Sequence, residues 1–227
     1  MPVLQALHDG RLPGWTLTGV LARESRDLGV VRTTSDLQAF LGEAPELILE
    51  VAGPSALSRI GVAALAVADV WTVSGAALAD DCLYRALDAA ASRSGHRLRL
   101  VPGALAGIDG VAMACVEPDA QLRLEIDLPP GSRPSGRLFT GTARQAAVAF
   151  PDGVNVAAAA ALAGAGLDET LVEVCSTESG HRLSLQADSA YARVRASVDV
   201  LPGTGLHPAA ACLIACLRRE TRTIWVG

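Results

Sequence analysis

Three short, largely apolar runs recur in the first half of the chain: Leu47 to Val51 (LILEV), Val70 to Val73 (VWTV) and Leu98 to Val101 (LRLV). Each ends at a turn of small residues, and helical periodicity fills the intervals between them. LILEV is consistent with a buried parallel strand. Strand, helix, strand, helix, strand is the pattern of a parallel sheet crossed by helices. Its turns, at 52–54, 74–76 and 102–104, fall at the carboxyl ends of the strands, where open α/β sheets bind ligands. The last of these turns opens Val101–Asp109 (VPGALAGID), which carries no charge before Asp109. Gly103 and Gly107 lack a Cβ, so a ligand or another backbone can approach them closely. The same residue types also describe a plain interdomain turn.

Around these runs the sequence predicts further elements. Met1 to Gly10 reads as the end of a helix with a glycine cap, and Trp15 to Leu21 alternates as a strand. Turn residues Thr33 to Ser35 precede a short helix, Asp36 to Leu41. Helices follow from Pro54 to about Ala66 and from Asp80 to Ser94, the latter with Leu83, Leu87 and Ala91 inward. After Asp109 the character changes. A short helix runs on to Cys115, and Gln121 to Leu128 (QLRLEIDL) alternates as a half-buried strand. Arg137 to Thr140 predicts a strand, and Ala143 to Phe150 and Asn155 to Gly164 predict helices. Leu171–Cys175, Arg182–Ala187 and Ala190–Val200 read as successive antiparallel strands. Pro208 to Arg219 reads as a helix and Thr223 to Val226 as a last strand.

At 227 residues and 50% hydrophobic, the chain can build one large core or two small ones. A net charge of −5 argues against a nucleic-acid or membrane-surface role. Five scattered cysteines without a C-x-x-C argue against a disulfide framework or structural zinc, so no metal is expected. Cys212 and Cys216, four apart, share one helix face as small hydrophobes. With no signal sequence and no long apolar run, the expected compartment is the cytoplasm.

Several segments together resemble the L-aspartate dehydrogenase family: LILEVAGP (47–54), SGAALAD (74–80), PGALAGID (102–109), FTGTAR (139–144) and FPDGVNVAAAAALAG (150–164). The resemblance covers almost the whole chain in consistent order. It implies an α/β plus α+β fold: a Rossmann-like parallel sheet, then an α+β domain of mostly antiparallel sheet that carries the catalytic site and dimerises. The boundaries expected are 1–102 with 207–227 for the first domain and 103–206 for the second. The implied reaction is NAD- or NADP-dependent oxidation of L-aspartate to iminoaspartate, a precursor in NAD biosynthesis. Ala104 matches the cofactor-contacting alanine of P-x-G-A, and Asn155 the NAD-binding asparagine of N-V-A-A. His181 is the nearest match to the catalytic histidine of N-x-H. Gly53, Ser74 and Gly75, at the strand-end turns, complete the expected cofactor contacts. Taken alone, Ala104 could fill a turn, Asn155 could cap the helix that follows, and His181 could sit exposed in a turn. Arg23 follows Val20-Leu21-Ala22, where an arginine would accommodate the 2′-phosphate of NADP; a solvated surface arginine is the plainer reading. Arg182 is a candidate partner for substrate carboxylates.

The departures are as specific. The sequence has no G-x-G-x-x-G turn and no strand before its first helix. Cys175-Ser-Thr-Glu-Ser-Gly-His181 is shorter than its counterpart and lacks A-D-P, and His207-Pro-Ala-Ala-Ala211 stands for N-P-[KR]-T-S. The chain is therefore expected to be either a truncated reading of a longer protein, starting at an internal Met, or a diverged, inactive relative, and to bind a dinucleotide weakly or not at all. Two functions follow: an oxidoreductase on a small amino acid, or a non-catalytic binding or structural protein that keeps the dimer-forming domain. Both imply a homodimer without nucleic-acid or membrane partners.

Overall fold

The computed structural model describes residues 2–24, 31, 33–129, 131, 135–178, 180–203 and 205–224. Helix α1 (Pro2–His8) leads to two short strands, β1 (Val20–Leu21) and β2 (Thr33–Thr34), paired in parallel. Helix α2 (Leu37–Leu41) is started by Asp36, whose carboxylate accepts the N–H groups of Gln38 and Ala39. Then β3 (Leu47–Glu50), α3 (Pro54–Leu65), β4 (Asp69–Thr72), a 3₁₀ helix at Gly75–Ala79, α4 (Asp81–Ser94) and β5 (Leu98–Leu100) alternate. The three strands pair in parallel in the order β3-β4-β5.

Alternation along β4 divides the core. Val70 points to α3 and α4, among Leu57, Leu65 and Leu87, while Trp71 points to the opposite face, toward α1. There it meets helix α8 (Pro208–Glu220) through Leu213 and Leu217. The sheet thus has helices on both faces.

The second domain begins with α5 (Ile108–Ala114), followed by β6 (Gln121–Leu128), β7 (Gly136–Thr142), α6 (Ala143–Ala149), α7 (Asn155–Ala163), β8 (Leu171–Ser176), β9 (His181–Asp188) and β10 (Arg193–Val200). Its sheet runs β10-β9-β6-β8-β7. Leu122, Leu124, Ile126, Val172, Val174, Leu183 and Leu185 form one face and pack on α5, α6 and α7. Ala157 to Ala161 of α7 are all buried, so that helix lies close to its neighbours.

Four expectations are corrected. The strand expected from Trp15 shrinks to Val20–Leu21, because Trp15 turns inward instead. It sits edge-on to Trp71, with centroids 6.4 Å apart, and its Nε1–H donates to the Leu217 carbonyl at 2.9 Å. Thr33 and Thr34, taken as turn residues, form β2. β8 is not an antiparallel neighbour of β9: it pairs in parallel with β6, which lies between them. Thr223 and Ile224 are not in a strand, and Trp225 and Val226 lie outside the described residues.

Candidate functional site

The carboxyl ends of β3 and β4 are shaped by one buried carboxylate. Glu50 is 3% exposed, and its Oε1 accepts the N–H groups of Ala52 and Gly53 at 2.7 and 3.0 Å. Its Oε2 accepts the Thr72 hydroxyl at 2.6 Å, and Thr72 Oγ1 in turn accepts the Ser74 N–H at 2.9 Å. A buried charge needs such a set of donors to offset its lost hydration. Gly53 follows at φ 105°, a conformation that suits glycine, and starts α3 ahead of Pro54.

The next turn is joined to the second domain. Asn155 stands at the start of α7 but does not cap that helix; its Oδ1 accepts the N–H of Ala76 at 3.0 Å. A Cβ on Gly75 would lie 2.6 Å from the Asn155 carbonyl oxygen, so this approach of 3₁₀ helix and α7 admits only glycine. The buried Ser74 Oγ has no hydrogen-bond partner among the described residues. At the end of β5, Gly103 lies under Val156 of α7 and Ala209 of α8; a Cβ there would be 3.7 and 3.8 Å from them. Ala104 is half-buried against the second-domain core. Ser74, Gly75 and Ala104 therefore border the junction of the two domains beside Asn155 of α7, and a Cβ on Gly53 would lie 4.0 Å from Asp152 Oδ1 of the second domain. Arg23 lies apart, exposed after β1.

His181 opens β9 on the face that carries Leu183. Burial, and then the electrostatic influence of nearby His207, lower its pKa from the ordinary 6.5, while Asp127 acts in the opposite sense. His207 caps α8: its Nδ1 accepts the N–H of Ala209 at 3.2 Å. That capping bond fixes the tautomer with hydrogen on Nε2. The sequence His181, His207, Ala209, Gly103 links the histidine to the β5 turn.

Arg182 is a correction. Alternation turns it to the opposite face from His181, where its Nε donates to Asp199 at 2.5 Å, so it is engaged away from the histidine. Sequence reasoning missed Glu50, whose only signal was a charge inside an apolar strand. It also missed Ser176, whose buried Oγ has no partner among the described residues. Ser176 pairs with Leu128, one residue past the Asp127–Arg182 pair, and so shares the face and the sheet end of His181.

A parallel sheet covered by helices, with Gly- and Ser-bearing turns at its carboxyl ends, is the layout in which open α/β sheets bind ligands. Residues 2–101 match the family model described as homoserine dehydrogenase, NAD binding domain, and residues 103–218 match that of aspartate dehydrogenase, C-terminal. The chain is 38% identical to the L-aspartate dehydrogenase of Ruegeria pomeroyi over 241 aligned residues, covering 93% of this chain and 86% of that protein. It is 37% identical to L-aspartate dehydrogenase 1 of Bordetella pertussis, over 70% of this chain and 66% of the relative. In structure it resembles the aspartate dehydrogenase of Thermotoga maritima, with a TM-score of 0.81 at 19% identity over 96% of this chain and 92% of the other. The chain belongs to the L-aspartate dehydrogenase family.

Proposed function

We propose that this protein oxidises L-aspartate to iminoaspartate with NAD or NADP, in the cytoplasm, and that His181 is its proton-transfer group. The observation that carries the reading is the meeting of the strand-end turns with α7 and α8 beside His181. The residues present suit a dinucleotide: a buried hydroxyl at Ser74 without a partner among the described residues, and an asparagine already bonded to the turn beside it. When bound, NAD(P) accepts the hydride that leaves the substrate Cα. Gly53, Ser74, Gly75, Ala104 and Asn155 orient it. His181 takes the proton released from the substrate ammonium as the C–N bond becomes an imine, a role that requires the neutral imidazole its surroundings favour. Ser176 and the Nε2–H of His207 offer hydrogen bonds to substrate on the same side. Calorimetric titration with NADH, followed by aspartate-dependent NAD(P)H production, tests the reading; no turnover with aspartate alongside tight NADH binding would leave the substrate wrong and the cofactor right.

Arg23 favours NADP. It is exposed just past β1, where the adenosine ribose lies in such folds. NADP should bind at least as well as NAD, and Arg23→Ala should weaken NADP by about tenfold with little effect on NAD. A clear preference of the wild type for NAD would refute this.

A homodimer through the second-domain sheet completes the proposal. The face opposite the helices carries Arg123, Glu125, Arg137, Glu173, Arg195 and Asp199, with Arg137 paired to Glu173 at 3.2 Å. Charges of both signs can meet those of a second copy across a twofold axis. Light scattering should give twice the chain mass at micromolar concentration; a monomer there would exclude it. Among the described residues no helix is long and apolar enough to cross a membrane.

A further inference from the structure

One side chain ties the two domains together at the far end of the 3₁₀ helix. Arg144, in the first turn of α6, makes a two-pronged bond to Asp168 of the second domain, Nε to Oδ1 at 2.7 Å and Nη2 to Oδ2 at 2.8 Å. A bidentate carboxylate fixes the plane of a guanidinium. The nitrogen left over, Nη1, then reaches across to the first domain, donating to the Ala79 carbonyl at 2.5 Å and to Asp81 Oδ1 at 2.9 Å. Asp81 is the first residue of α4, and Ala79 is the last of the 3₁₀ helix.

The 3₁₀ helix is therefore held by the second domain at both ends. Asn155 holds Ala76, beside Ser74 and Gly75, and Arg144 holds Ala79. Between these points Gly75 to Leu78 are buried, so the turn has little freedom left. We propose that Arg144 is a positioning residue, a latch that sets this turn, and with it Ser74 and Gly75, against the second domain. The inference rests on the dinucleotide reading above only for its effect on binding; the latch itself is a matter of geometry.

Asp81 and Asp168 are largely exposed, with side chains at 65% and 61%, and ion pairs so placed contribute little to global stability. The effect belongs in local order and in affinity. It is tested by hydrogen exchange over residues 75–81, read by mass spectrometry, together with NADH titration. Arg144→Gln should raise exchange in that segment at least about fivefold and weaken NADH about tenfold, with the unfolding midpoint moved by no more than a few degrees. Arg144→Lys keeps the charge but not the fork, and should behave like the Gln variant. Asp168→Asn should also loosen the segment, because among the described residues Asp168 reaches the first domain only through Arg144. Unchanged exchange at 75–81 in Arg144→Gln would overturn the latch, and full recovery in Arg144→Lys would overturn the role of the fork. A wild-type chain that binds no NADH would refute the dinucleotide reading, and the exchange measurement would still decide the latch.

Discussion

Replacing His181 with alanine is expected to lower aspartate turnover by about 10²-fold or more, the loss typical of a general acid or base. NADH affinity should change little, since His181 lies on β9 and is not among the residues proposed to hold the cofactor. The pH profile adds a second signature. Burial, and then nearby His207, oppose protonation, so the pKa of His181 in the fold lies below its ordinary 6.5. The wild-type rate should hold as pH falls to 6.5 and decline only below it, and the Ala variant should lack that acidic limb. Stability follows the same sign. A group whose pKa is depressed by folding contributes fully above the unfolded value, and its contribution is lost as pH falls through the folded one. The His181→Ala variant should therefore lose less stability than wild type on acidification below 6.5. A residual rate within a few-fold of wild type would remove His181 from the reaction.

The second large effect is expected at Gly75. An alanine Cβ there would stand 2.6 Å from the Asn155 carbonyl oxygen and 3.4 Å from Ala158 Cβ. The first obstacle is backbone, which cannot swing aside as a side-chain tip can. The 3₁₀ helix and α7 would have to part, straining the Asn155–Ala76 bond. Gly75→Ala should cost about 1–3 kcal/mol in denaturant unfolding, as overpacking does, and should weaken NADH by about tenfold or more. Gly19→Ala is the control: its Cβ would meet only Phe40 Cδ2, at 3.9 Å, and stability should hardly move. Equal behaviour of the two variants would show that the close approach at Gly75 does not matter.

The parallel half of the fold was legible because its runs are short, apolar and punctuated, and because Pro54, Asp80 and Gly95 mark helix ends by local chemistry. Strand partnership was not. A period of two says which face of β8 is buried, but not that β8 runs parallel to β6 with β9 beyond it, since that choice is made by the path of the chain between them. Trp15 reads as a strand residue until Trp71, fifty-six positions later, gives its ring a place. At the site, His181 and Asn155 were reached through family resemblance; the bare residues left each with a plain structural alternative. For Asn155 the structure replaces helix capping with a bond to Ala76, seventy-nine positions away. Arg144 lay inside a quoted segment, FTGTAR, yet its task depends on Ala79 and Asp81, more than sixty positions off, and no local pattern announces such a reach.

The Glu50 bond set makes two turns into a single inheritable part. Oε1 closes the turn after β3 and Oε2 holds Thr72, which shapes the turn after β4. An engineer exchanging either loop for that of another dehydrogenase, to alter cofactor choice, would break the other unless Glu50 and Thr72 travelled with it. Grafts that move 50–54 and 72–76 as a pair should keep their shape, whereas one turn alone would leave a buried carboxylate short of donors. The strand-end turns of this protein are modular, but their smallest module is two segments long.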